Sequence, residues 1–585
     1  MMNLHSYYIN GAMVVVALST SVLAFNSCVD DKYDITKPID TEITVGAGLA
    51  MPVGDIEPFK LSKLLDLEGQ DFIKLDKDSS YVIVADNLKN PYKYTYEVPN
   101  FAFNNIESSN QRQYIDIPTI PEGQFPDQTF PIDINFTINF SQDIPAEITD
   151  IHSANVNAEL KLVCNFIQDP ILLNNIWLKK GARVEIPKWI QLGNITHSDI
   201  DVNDNVLTFN KDIRIASDGL SISLPVSGLL FDDTTLAPGN GISNGRFNII
   251  EEIPFSGTLV LKSSDVISGG NGNFIVSAQM GLSNITINSI KVCVDPDIKF
   301  DIPDVVIGEM PEAFQSVNLN MDLNAVRLDV SISNESPLAA DLDCTIMAIK
   351  SSTDSKDSTK ISGLHVMAGS DGNPVRSSFS ISENGNLVAP GYTAVKAERL
   401  NSLISSLPDI IRFSSVNLDV SKDPVEVVLG STYDLDVYYN CETPLSFGEN
   451  LNLEFSTDID NLDLDLAGYN IREAKLNLEL INTIPLGLTL EAEALDITKN
   501  PIETISIDVD GDVLPGSVEK PSSQKRILTL HSDDGNISLS GIRLYAVAKS
   551  EAGKTDSKLN AKQGLELKSL SLCLPEGITI DLEEL

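Results

Sequence analysis

Over most of its length this chain alternates apolar and polar residues one for one. "IDINFTINF" (132–140), "VNLNMDLNAVRLDVSI" (317–332), "LNLEFSTDIDNLDLDL" (451–466) and "AKLNLELI" (474–481) are the clearest runs. In an extended strand successive side chains point to opposite faces, so a run of period two buries one face and wets the other. At 3.6 residues per turn the same pattern would spiral its apolar positions around a helix and bury no single face. Many short runs of this kind, separated by Gly, Asn, Asp and Pro, predict an all-β chain of tandem antiparallel β-sandwich modules.

Only two stretches read as helices. "TAVKAERLNSLISSLP" sets Ala397, Leu400, Leu403, Ile404 and Leu407 at helical spacing between a Thr393 cap and a Pro408 stop, which predicts a helix over 393–407. "PFKLSKLLDLEG" (58–69), with Leu61, Leu64 and Leu65, predicts a shorter connector.

One turn recurs. Asn334 ends a strand and Pro337 follows three residues later; Asn482 and Pro485 repeat the arrangement. Looser versions are Asn165 with Pro170, Asn440 with Pro444 and Asn87 with Pro91. Asn tolerates left-handed backbone angles, and Pro fixes φ while blocking the ladder, so the pair should end one strand and redirect the chain. The element resembles the strand–Asn–x–x–Pro–strand turn of late-embryogenesis-abundant type 2 sandwiches. That resemblance implies immunoglobulin-like modules of seven strands.

A longer duplication is visible. "FSQDI" (140–144) returns as "FSTDI" (455–459), "IDVNDNVL" (200–207) as "IDVDGDVL" (507–514), and "IKVCVDPDIKFDI" (290–302) as "LSLCLPEGITIDL" (570–582). Three matches in the same order predict related modules at 129–303 and 446–585, with β units at 46–128 and 304–445 before each.

The first residues carry a different signal. "AMVVVALSTSVLAF" (12–25) has no charge and is too short to span a bilayer, but fits the apolar region of a secretory signal peptide. No Lys or Arg precedes it. "FNSC" then leads to Cys28, which resembles a Bacteroidota lipoprotein signal with Phe25 where the strict pattern has Leu. The resemblance implies removal of 1–27, acylation of Cys28 and anchorage in the outer membrane. Asp30, Asp31 and Asp34, on an acidic tether over 28–45, resemble the tag that sends such lipoproteins to the cell exterior. The alternative is a soluble secreted protein cleaved near Ala24, with Cys28 a spare thiol.

Charge narrows the partners. With 41 basic against 83 acidic residues the net charge is −42, which repels phosphate backbones and excludes nucleic acid. An apolar content of 42% with acidity spread through strands indicates folded modules rather than a disordered tail. Beyond Cys28 stand Cys164, Cys293, Cys344, Cys441 and Cys573. Their odd number forbids complete disulfide pairing, and four lie in strand-like runs as small core residues.

Signals for chemistry are sparse. "GISNG" (241–245) has the letters of an esterase elbow around Ser243 but sits in a Gly/Asn/Pro loop running into a strand. "DVDGDVLPGSVE" places Asp508, Asp510, Asp512 and Glu519 at positions 1, 3, 5 and 12 of a calcium loop, with its glycine at position 4 rather than 6. The alternative is an Asp-Gly turn between strands that needs no metal, and no other cofactor is implied. Trp177 and Trp189, in a rare basic segment, are candidates for stacking a glycan or for closing a sandwich core. The expectation is a lipid-anchored, non-catalytic protein with a binding, adhesion or structural role toward surface proteins or glycans. The alternatives are an extracellular glycan or ester hydrolase and a fimbrial or scaffold subunit.

Overall fold

The computed structural model describes residues 42–581 apart from 46–48, 55, 68, 71, 118, 297, 299–301, 307–313, 315–318, 351–354, 371–372 and 552–556. Cys28 and the acidic residues after it lie outside these. The described chain is all-β and almost wholly antiparallel, as its period-two runs require.

The N-terminal segment is an arm carrying β1 (Leu49–Gly54), β2 (Tyr81–Asp86), β3 (Tyr92–Glu97) and β4 (Gln111–Ile115). Between β1 and β2 lies α1 (Leu61–Leu64), whose Leu61 and Leu64 are buried together with Leu65. Three sandwiches follow. In the first, β6 (Ile148–Asp169) lies between β8 (Leu220–Leu230) and β10 (Asn273–Val294). Its facing sheet sets β9 (Arg246–Leu261) between β5 (Gln128–Asp143) and β7 (Asn175–Leu178).

The middle sandwich repeats the scheme. β12 (Arg327–Asn334) lies between β15 (Val375–Ser382) and β18 (Thr432–Pro444). Opposite it, β16 (Ile410–Val420) lies between β11 (Val305–Val306) and β13 (Ala340–Lys350), with β14 (Ser355–Val366) outside β13. A short β17 (Val425–Val427) reaches back to β10.

In the last sandwich, β20 (Glu473–Asn482) lies between β23 (Ser522–Ser532) and β25 (Gly564–Leu574). β24 (Gly541–Lys549) lies between β19 (Leu453–Ile459) and β21 (Gly487–Leu495). Here β22 (Pro501–Val509) bonds both β21 and β23, so the two layers continue into one curled sheet. Two of the three sequence matches fall on equivalent strands, "FSQDI" and "FSTDI" on β5 and β19 and the cysteine-bearing pair at the ends of β10 and β25, whereas 200–207 forms an edge hairpin and 507–514 runs from the end of β22 into a loop.

Each module's final strand needs a partner on its outer edge, and the arm supplies all three. β1 pairs β25, β2 and β3 pair β18, and β4 pairs β10, so the arm visits the modules in reverse order of sequence. Residues 46–128, expected as a β unit of their own, are thus spread over three sheets.

The Asn-Pro turn works differently from the expectation. Neither Asn334 nor Asn482 has a left-handed φ. Both are fully buried, and their amides close the turn. Asn482 Nδ2 donates to Leu486 O (3.1 Å) and Leu514 O (3.0 Å), and its Oδ1 accepts from Ile484 N (2.7 Å). Asn334 repeats this with Leu338 O (2.8 Å), Met367 O (3.0 Å) and Ser336 N (2.9 Å). In the first module Gln168 takes the role, its amide reaching Leu172 N, Leu173 N and Leu173 O. At Asn440 and Pro444 no turn forms, because β18 runs through both.

The helix expected over 393–407 is shorter. Thr393–Lys396 is a strand paired in parallel with β15, and α2 spans only Leu400–Ser405. Thr393 and Val395 are β-branched and favour the extended backbone, and Arg399, with φ of 66°, breaks the chain direction before α2.

Candidate functional site

The structure places the sequence-singled residues as follows. Trp189 is fully buried; its indole N–H donates to Glu251 Oε2 at 2.6 Å and its ring packs on Phe231. It closes the first module's core and offers no platform to a sugar. Half-buried Trp177 donates to Asp265 Oδ2 at 2.8 Å, while Lys262 Nζ covers its ring at 4.1 Å.

Asp508 ends β22 beside His531 (3.4 Å), and Asp510 accepts from Ile527 N at 2.6 Å. The Asp512 carbonyl accepts from Arg526, and Glu519 is exposed in the following loop. These carboxylates are not brought onto a common point. Ser243 occupies a tight hairpin, with Asn244 and Gly245 left-handed, between Gly241–Ser243 and β9, rather than a loose loop.

A cleft that no sequence signal marked opens between the two sheets of the middle module. One wall is β3, β12 and β18; the other is β13 and β16. It holds a cavity of about 90 Å³ lined by apolar side chains such as Val330, Val416, Leu418 and Val437, with tyrosines 92, 94, 96, 433 and 439. Ile298 and Ile302, from the connector after the first module, also line it. The cleft is the seam between two cores. Leu338, Ala340 and Val420 pack with the first module, whereas Cys344, Ile346 and Phe379 pack with the last.

Side chains that a closed sandwich would bury, among them Tyr96, Val416, Leu418 and Val437, therefore stay half-buried. The Tyr96 hydroxyl is buried with no hydrogen-bond partner. Burial, then the Glu147 charge and Tyr433, push its pKa up to about 12. Tyr439 is raised further, mainly by burial and then by Tyr92. Both phenols stay neutral at physiological pH, and the one carboxylate among the described lining residues is Asp434 on β18.

A second grouping lies on the outer face of the first module. Among the described residues, Asp150, His152 and Cys293 form the set of three metal-ligating side chains whose ligand atoms lie within 4.8 Å of one another. Asp150 on β6 sits directly across from Cys293 on β10, and register slips on either side of Ile151 leave His152 beside them. Cys293, expected as a core residue, is half-buried on the wet face because the flanking Val292 and Val294 take the core face.

His152 Nε2 is 3.5 Å from Cys293 Sγ and 3.3 Å from Asp150 Oδ2. A nucleophilic relay requires the acid and the thiol on opposite ring nitrogens. Here both meet the same nitrogen. The Cys293 thiol is also pushed up, by burial and then by the charges of Asp150 and Asp423, the opposite of an activated thiolate. Sequence reading missed this cluster because its members are 141 residues apart and meet only through a bulged register.

No protein-family model matches the chain, and no curated protein matches it. A solved structure of a Parabacteroides distasonis protein, described as secreted, is similar at 13% identity over 49% of this chain and 89% of that one. The two superpose with a TM-score of 0.32. No helix among the described residues is long and apolar enough to cross a membrane. What the fold defines is a class: three antiparallel β-sandwiches of one pairing scheme, laced together by an N-terminal arm.

Proposed function

We propose that this is a lipid-anchored, non-catalytic protein of the cell surface, and that its middle module binds an apolar molecule in the cleft between its sheets. The observation that carries the binding role is the cleft itself. An apolar cavity of this order stays dry and accepts apolar guests. The unpartnered Tyr96 hydroxyl could accept or donate one orienting hydrogen bond to such a guest. Anchorage through Cys28 rests on the signal-like opening sequence, and outward orientation rests on Asp30, Asp31 and Asp34. Membrane attachment through that anchor is the one partner the sequence supports; surface proteins or glycans remain candidates for adhesion.

The hydrolase alternative needs paired carboxylates in a cleft. Among its described lining residues this cleft has a single carboxylate, Asp434, amid tyrosines and aliphatics. A scaffold subunit would need a free edge strand; the arm covers β10, β18 and β25, and among the described strands β14 stays at the outer edge of its sheet.

The test is a titration of the full-length Cys28→Ala protein, which needs no detergent, with phenol, a guest small enough for a cavity of about 90 Å³, alongside Val437→Trp and Leu418→Trp, which fill the cavity. One equivalent bound by the protein with its cleft intact and about tenfold weaker binding in both variants is expected. Equal binding in all three, or none in any, would refute the cleft as a ligand site. Anchorage is tested separately: protease treatment of intact cells should cleave the wild-type protein, and Cys28→Ala should release it from the membrane.

A further inference from the structure

We propose that Asp150, His152 and Cys293 form a zinc site on the outer face of the first module, across β6 and β10. Zn²⁺ bound tetrahedrally takes sulfur at about 2.3 Å and nitrogen or oxygen at about 2.0–2.2 Å, which sets its donor atoms about 3.3–3.7 Å apart. The separations of 3.5 Å from Cys293 Sγ to His152 Nε2 and 3.3 Å from His152 Nε2 to Asp150 Oδ2 fall in that range. A mixed sulfur, nitrogen and oxygen set suits a borderline-soft divalent ion and not calcium or magnesium. Convergence of thiol and carboxylate on one imidazole nitrogen is unhelpful for proton relay but is what three ligands of a shared ion do.

The strands hold the ligands in place before any ion arrives. Asp150 Oδ1 accepts its neighbour's backbone N–H (Ile151, 2.8 Å), which leaves Oδ2 aimed at His152. The His152 carbonyl accepts from Phe231 N at 2.7 Å, and the Cys293 carbonyl accepts from Thr149 Oγ1 at 3.2 Å. A β-bulge that re-aims a side chain beside a site is a recurrent device. Asp423, from the loop between β16 and β17 of the middle module, is near enough for its charge to act on the Cys293 thiol. Its carboxylate accepts from Ser421 Oγ at 3.0 Å and stands outside the three-residue cluster, so the fourth position falls to water. On binding, the Cys293 S–H bond breaks, a Zn–S bond forms, and one proton leaves to solvent.

The experiment uses Co²⁺ as a spectroscopic stand-in for Zn²⁺, titrated into the full chain in detergent under reducing conditions. One equivalent should produce a thiolate-to-cobalt charge-transfer band that Zn²⁺ then abolishes by displacement. Cys293→Ser should lose the band, His152→Ala should weaken binding by about tenfold or more, and Asp150→Asn should weaken it less. Circular dichroism should be unchanged in all three, since these side chains are not part of a core. Absence of the band in the wild type would overturn the site, and so would a band that persists in Cys293→Ser or binding unaffected by His152→Ala.

Discussion

At the scale of single residues, the buried amides of Asn334 and Asn482 are the sharpest determinants. Each satisfies three backbone groups that the turn would otherwise strand in the core. Replacing either by Ala should destabilise its module by about 2–4 kcal/mol, because buried unsatisfied groups cost more than an average hydrogen bond is worth. Thermal unfolding would check it, and a change below about 0.5 kcal/mol would mean that water fills the gap. Asn-x-x-Pro was readable as a marker of this junction, although the mechanism was not: the letters suggested a left-handed backbone, and the amide proved to be the working part. In the first module Gln168 does the same from three residues further on, which is why Asn165 gives only a loose match. Cys164 makes a further residue-level case. Burial raises its thiol to about 12 from an ordinary 9.0. Because the folded value is the higher one, its contribution to stability is complete below about pH 9 and is lost as pH rises toward 12. Thiol labelling of the native protein at pH 8 should therefore modify Cys293 while sparing Cys164 and Cys344, all of which react once the chain is unfolded.

At the scale of elements, alternation made the strands legible and left their partners hidden. Runs such as 132–140 and 474–481 sit in β5 and β20 with their apolar residues inward. The parallel strand at Thr393–Lys396 was masked because its residues also fit a helical spacing, and only pairing with β15 decides between the two. Nothing local announces that β3 will wall a cleft against β16, since Tyr92, Tyr94 and Tyr96 read as an ordinary amphipathic strand. Tyr96→Phe separates the two roles that cleft could have. Removing an unpartnered buried hydroxyl should leave the unliganded protein equally stable or stabilise it by about 1 kcal/mol. If the hydroxyl serves a guest, the same variant should bind the phenol probe more weakly. A variant that is destabilised instead would mean that Tyr96 has a partner in the folded protein.

At the scale of the whole molecule, the arm turns three similar sandwiches into one unit. It covers the outer edges of β10, β18 and β25, and uncovered edges of that length are templates for pairing with other chains. Deleting residues 46–115 should therefore yield a protein that self-associates on gel filtration and unfolds in separate steps rather than one. A monomer with unchanged unfolding would mean that the arm contributes little. The reverse order of its contacts also sets a timetable. The arm is made first, yet β1 ends at residue 54 and its partner β25 begins at 564, a gap of 510 residues. An exported chain folds only after crossing the membrane, so β1 emerges early and has no neighbour until nearly the whole chain has followed it. A strand near the start of the chain is thus among the last to be seated, so the protein cannot complete itself from the front, and a chain cut short at its end is left with a loose beginning as well.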